Sequence, residues 1–218
     1  MSPAGLPESL PLFPLTGVLL LPRANLPLNV FEPRYLALTE AALAEGRFIG
    51  MIQPLEGKDD EGDPPLYKTG CAGRIVEFRE TGDGRYLINL LGVSRFDVAR
   101  ERPKTELFRR AVPDWSPYAG DMSESENPNL DRARLLKALG PFLARHGVKT
   151  DPDSVQSAPL ARLVDAVSMM APFAPREKQA LLEADPQERA MLLTQLMEMS
   201  LLAEATPSGG GGSPGASH

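Results

Sequence analysis

Proline cuts the apolar sequence near the N-terminus into pieces too short for anything but strands. The runs Leu10 to Phe13, Val18 to Leu21 and Leu26 to Phe31 are broken by Pro14, Pro22 and Pro27. A helix interior does not tolerate proline at that density, and brief apolar runs bounded by breakers are the mark of strands. With 22 prolines in 218 residues, the chain is built for many short elements and turns rather than a long coiled coil.

Glu32 to Gly46 differs. Tyr35, Leu36, Leu38, Thr39, Ala42 and Leu43 form a helical stripe, Pro33 suits the first turn and Gly46 a C-terminal stop. Phe48 to Ile52 reads as a strand, and residues 56–65, rich in acidic residues, Gly and Pro, as a mobile surface loop. From Lys68 the pattern is β again. Ala72, Arg74, Val76 and Phe78 lead into Thr81-Gly82-Asp83-Gly84, and Tyr86 to Leu91 returns, which predicts a hairpin. Gly92 marks a bulge before a further strand around Phe96 and Val98, and a last strand spans Phe108 to Val112.

The second half is helical. Leu135, Leu136, Leu139, Phe142 and Leu143 share one face, with Pro141 expected to kink or divide that helix. Leu160, Leu163, Val164, Val167 and Ala171 form the next stripe, with Ser157 as its expected N-cap. A short helix near Arg176 to Ala184 precedes one opened by Asp185-Pro186-Gln187-Glu188, a capping-box pattern with proline at the first position. Leu192, Leu193, Leu196, Met199 and Ala203 give that helix an apolar face read as core. The expected organisation is a β-rich unit over 8–113, a connecting segment over 114–129, a helical bundle over 130–204 and a disordered Gly/Ser/Pro tail over 205–218. The fold class is α+β: a β-rich N-terminal barrel or sheet with one helix, followed by a C-terminal helical bundle.

Charge and motif content narrow the function. The formal net charge of −6 repels phosphate backbones, so nucleic-acid binding needs a local basic patch. Arg100, Arg102, Lys104, Arg109 and Arg110 are diluted by Glu101 and Glu106 and read as a solvated strand edge. A single cysteine excludes an internal disulfide. No signal peptide and no apolar stretch of about 20 residues is present, so a cytoplasmic location away from membranes is expected. The Gly57-Lys58 pair is followed by Asp59, and Ile52 stands where a phosphate loop needs its first glycine. Cys71, His146 and His218 make no zinc cluster. Cys71 reads as a small buried hydrophobe, and His146 as a helix C-terminal residue facing the dipole. Asp59 and Asp60 lack an apolar setting to separate their pKa values, and no serine outside the tail sits in a glycine-flanked nucleophile turn. The expectation is a non-enzyme with no cofactor and no metal.

The run Leu10-Pro11-Leu12-Phe13-Pro14-Leu15 resembles the opening of the Lon protease N-terminal domain family. So do Leu20-Leu21-Pro22, Leu26-Pro27-Leu28 and Phe31-Glu32-Pro33-Arg34-Tyr35, in that order. Gly70-Cys71-Ala72-Gly73-Arg74-Ile75 is similar to the family's middle strand. Gly84-Arg85-Tyr86 and Gly92-Val93-Ser94-Arg95-Phe96 resemble its following hairpin, and residues 177–183 its helical part. The resemblance implies a PUA-like β barrel joined to a helical bundle, standing without the AAA+ and Ser–Lys peptidase modules of full Lon proteases. It also implies recognition of exposed or unfolded protein or peptide segments, as an adaptor in proteolysis with an AAA+ protease as a candidate partner. Arg34, Tyr35 and Arg95 are the candidate partner-binding residues. Structural roles are open to them too, with Phe13, Phe31 and Tyr35 as core or semi-core aromatics. Apolar surface between barrel and bundle is the expected place for a peptide. A hydrolase (peptidase) with an unrecognised site and an RNA-binding PUA-like protein remain the alternatives.

Overall fold

A computed structural model describes residues 5–55, 64–123, 131–148 and 151–203. Most of the expected 56–65 loop, part of the connecting segment and the whole Gly/Ser/Pro tail lie outside the described residues.

The proline-punctuated N-terminal half yields β1 (Leu10–Pro14), β2 (Asn25–Val30), helix α1 (Pro33–Ala44), β3 (Phe48–Ile52), β4 (Thr69–Glu80), β5 (Tyr86–Glu101) and β6 (Arg109–Asp114). A 3-10 segment, Ser116–Met122, leads towards the helices α2 (Arg132–Arg145), α3 (Pro152–Ser157), α4 (Leu160–Met170), α5 (Pro175–Glu183) and α6 (Pro186–Ala203). The class is α+β.

The length of β5 organises the sheet. Its first half pairs with β2 and β4, and its second half with β4 and β6. Because β6 also pairs with β1, and β1 runs parallel to β3, the order β1-β3-β4-β5-β6 closes into a barrel, with β2 as a flanking strand on β5. Phe96 fills the barrel, edge-on to Trp115. Gly70 makes room for it: a Cβ there would lie 2.8 Å from the Phe96 ring.

The predicted hairpin forms, with Gly84 at φ 79 and the Thr81 amide donating to the Arg85 carbonyl. The bulge also forms. Ala72 stands opposite Ser94 and Gly73 opposite Gly92, so Val93 is the extra residue and β5 continues through it. Tyr35 stacks on Phe13 with centroids 4.0 Å apart, and its hydroxyl donates to the Pro14 carbonyl. A larger core runs without a break from α1 and the outer face of the barrel into the bundle.

Several sequence expectations are corrected. Val18 to Leu21 is not a strand: β5 already has β2 and β4 as neighbours, and this segment crosses over them instead. Leu19, Leu20 and Leu21 are buried, each worth about 1.5–3 kcal/mol of transfer free energy. Gly92 permits the crossing, since a Cβ there would sit 2.0 Å from the Leu21 carbonyl oxygen. Phe31 is not core but 60% exposed, with the Arg85 guanidinium over its ring. Pro141 does not divide α2. It lies on the exposed face, where the freed Lys137 carbonyl can be solvated, while Leu135, Leu139 and Phe142 hold the helix by packing.

Ser157 does not cap α4. It ends α3, its hydroxyl donating to the Asp153 carbonyl, and α4 starts after Pro159. On α6 the buried stripe is Ala190, Leu193, Leu196 and Met197, and Met199 is exposed. The capping box of α6 is present: the Glu188 amide donates to Asp185 at 2.8 Å, and the Asp185 amide to Glu188.

Candidate functional site

A groove of about 850 Å³ separates the crossing segment from the bundle. One wall is the stretch from Gly17 to Pro27, which contributes Val18, Leu19, Ala24, Leu26 and Pro27. The other is α4, contributing Ala161, Ala166, Met169 and Met170, with Lys178 from α5. The surface is mainly apolar with a few polar groups, the make-up expected of a binding site, and its size is within the range of ligand pockets, roughly 300–1,000 Å³.

The walls are held by polar contacts between barrel and bundle. Gln53, just past β3, accepts the Gly17 amide and donates to the Pro175 carbonyl and to Gln179. Gln179 in turn donates to the Thr69 carbonyl. Behind the groove, two arginines converge on the C-terminal turn of α5. Arg95 from β5 donates to the Leu182 and Ala184 carbonyls, and Arg189 from α6 to those of Leu181 and Ala184. A helix end leaves its last carbonyls without partners, and guanidinium forks supply them.

Each fork also meets a carboxylate. Arg95 binds both oxygens of Asp121, at 2.9 and 2.8 Å, and lies over the Tyr118 ring. Burial works against the charge on Arg95, yet the hydrogen bonds and charge of Asp121 outweigh it and raise its pKa. Arg189 pairs with Asp165 at 2.8 Å. Burial raises the pKa of Asp165 and lowers that of Arg189, so this pair is held against its own desolvation cost.

The residues singled out from sequence fall in different places. Arg95 is buried between barrel and α5, and Tyr35 is buried under α1. Arg34 is exposed, pairing with Glu32 and lying over the Tyr35 ring. Arg34 and Tyr35 are not brought to the groove, and Arg95 reaches only the polar seam behind it. Sequence reading missed Arg23, Asp165 and Lys178. Arg23 has φ 65, unusual outside glycine, and its guanidinium donates to the Asp121 and Ser123 carbonyls.

Cys71 is fully buried, and burial drives its thiol pKa well above the ordinary range. His146 is the C-cap of α2, its ring against Phe142. Among the described residues, no three of His, Cys, Asp and Glu gather as a metal-binding group. Arg109 is paired with Glu101, and Arg110 with Glu45 and Glu106. No described helix is long and apolar enough to cross a membrane.

This fold has counterparts. The family model described as the ATP-dependent protease La (LON) substrate-binding domain matches residues 9–199. The chain belongs to that family. It is 29% identical over 209 residues to Lon protease 2 of Myxococcus xanthus, covering 90% of this chain and 25% of that protein. To the Lon protease of Flavobacterium johnsoniae it is 26% identical over 207 residues, covering 90% and 24%. The chain thus spans about a quarter of the length of these Lon proteases.

Among solved structures, a Lon N-terminal domain protein from Xanthomonas campestris superposes with a TM-score of 0.58 at 26% identity, covering 89% of this chain and 97% of that one. The N-terminal domain of a Mycobacterium avium complex Lon protease gives 0.62 at 17% identity, a likeness of fold. Membership of the substrate-binding family makes this a substrate-recognition module in architecture.

Proposed function

We propose that the groove between the crossing segment and α4 receives exposed, apolar segments of unfolded proteins, and that the chain does so without chemistry of its own. The observation that carries this reading is the groove: a broad, mainly apolar surface with walls fixed by Gln53, Gln179 and Arg95. A pre-formed surface spares the ordering cost of binding. Strand addition is a weaker route. β2 flanks the barrel, but Pro27 within it lacks an amide proton and blunts that edge. Side chains seated in the groove therefore carry the recognition.

In the company of an AAA+ protease, a module of this kind acts as an adaptor that hands clients over. Arg95 then serves by fixing the wall, and Arg34 is available to a partner on the barrel surface.

The test is titration of a labelled, permanently unfolded protein against the full chain and against Ala166→Trp, which fills the groove from an exposed position on α4. Saturable binding to the parent chain, weakened about ten-fold or more by the tryptophan, is expected for an apolar site. Binding that ignores the tryptophan places recognition elsewhere. Cleavage of the unfolded protein, lost on a single substitution, overturns the non-catalytic reading.

A further inference from the structure

The groove has a charge that the chain as a whole does not. The protein's formal net charge is −6, yet Arg23, Arg162 and Lys178 line the groove against one carboxylate, Asp165, which is already committed to Arg189. The three cations are held differently. Arg162 is exposed on α4 and has no ion-pair or hydrogen-bond partner among the described residues. Arg23 spends one nitrogen on the Asp121 and Ser123 carbonyls at the groove's edge.

Lys178 is the telling one. It is only 7% exposed, yet its ammonium has a single hydrogen-bond acceptor among the described residues, the Met169 carbonyl at 2.8 Å. An ammonium carries three donors, and a buried one without a carboxylate is costly. Surface solubility accounts for Arg162 but not for a charge placed in an apolar wall. An anion entering the groove supplies what Lys178 lacks, and it finds Arg162 on the same wall.

We propose that the groove selects segments in which acidic side chains are interleaved with apolar ones. Apolar side chains seat against Leu19, Leu26, Met169 and Met170, and Asp or Glu carboxylates meet Lys178 and Arg162. This rests on the groove being the recognition surface, and it narrows the client class from merely apolar to apolar and acidic.

The experiment compares fluorescent peptides of equal length and apolar content that carry Glu, Gln or Lys at the interleaved positions. Each is made with a free and with an amidated C-terminus. They are titrated against the full chain and against Arg162→Gln, Lys178→Met, the double variant and Ala166→Trp. Arg162→Gln changes an exposed side chain and leaves folding out of the question. The Glu peptides are expected to bind about ten-fold more tightly than the Gln peptides, whatever their C-terminus, as suits charge-assisted hydrogen bonds. That preference falls to within about two-fold in the double variant and shrinks with added salt.

Equal binding of Glu and Gln peptides, both lost in Ala166→Trp, overturns acidic selection and leaves the groove reading standing. A preference that follows only the free C-terminus assigns the cations to chain ends and likewise overturns it. Absence of peptide binding altogether overturns both.

Discussion

At the scale of single residues, Arg95 carries more of the molecule than any sequence cue announces. From one position on β5 it pairs with Asp121, covers Tyr118 and closes the end of α5. Arg95→Met strands a buried carboxylate and uncaps carbonyls, so a loss of about 3–5 kcal/mol is expected in urea unfolding. Lys178 behaves oppositely. Burial lowers its pKa below the ordinary 10.5, so the folded state binds the proton less readily than the unfolded chain. Stability contributed by this group is therefore present above pH 10.5 and is lost as pH falls through the folded-state pKa. Lys178→Met should melt higher than the parent at neutral pH, by a margin that narrows as pH rises towards 10.5. An equal margin at neutral and high pH would contradict this.

At the scale of elements, the crossing segment is the feature the groove depends on. Gly92→Ala forces a methyl group into the Leu21 carbonyl, so the segment must lift away from β5. The expected result is lower stability together with weaker binding of unfolded protein, read by thermal melting and by the titration above; unchanged binding would detach the groove from the segment. The sequence made most elements legible because punctuation and period agree. Pro33 and Gly46 bracket α1, Gly84 turns the hairpin, and Asp185 and Glu188 start α6. It misled at Val18 to Leu21 because a buried segment crossing a sheet has the same short apolar run as a strand, and only the sheet's own pairing tells them apart. Phe31 and Met199 misled because apolar character does not report exposure. The site was less legible than the fold. Its lining comes from residues 17–27 and 159–178, which no local pattern links, and Lys178 is unusual only for its surroundings.

At the scale of the whole molecule, the outer face of the barrel and the bundle share one continuous core, apart from the cluster inside the barrel, and the seam between them opens on one side as the groove. Gln53, Gln179, Arg95 and Arg189 fix its shape, so recognition is expected to proceed without large rearrangement. The eight methionines give a direct readout of where a client sits. Met169 and Met170 line the groove, whereas Met122 and Met199 are exposed elsewhere. With methyl-labelled methionine, titration of an unfolded protein should move the Met169 and Met170 signals saturably and together, leaving Met122 and Met199 in place. Movement at Met199 or Met122 with Met169 and Met170 unchanged would contradict recognition through the groove.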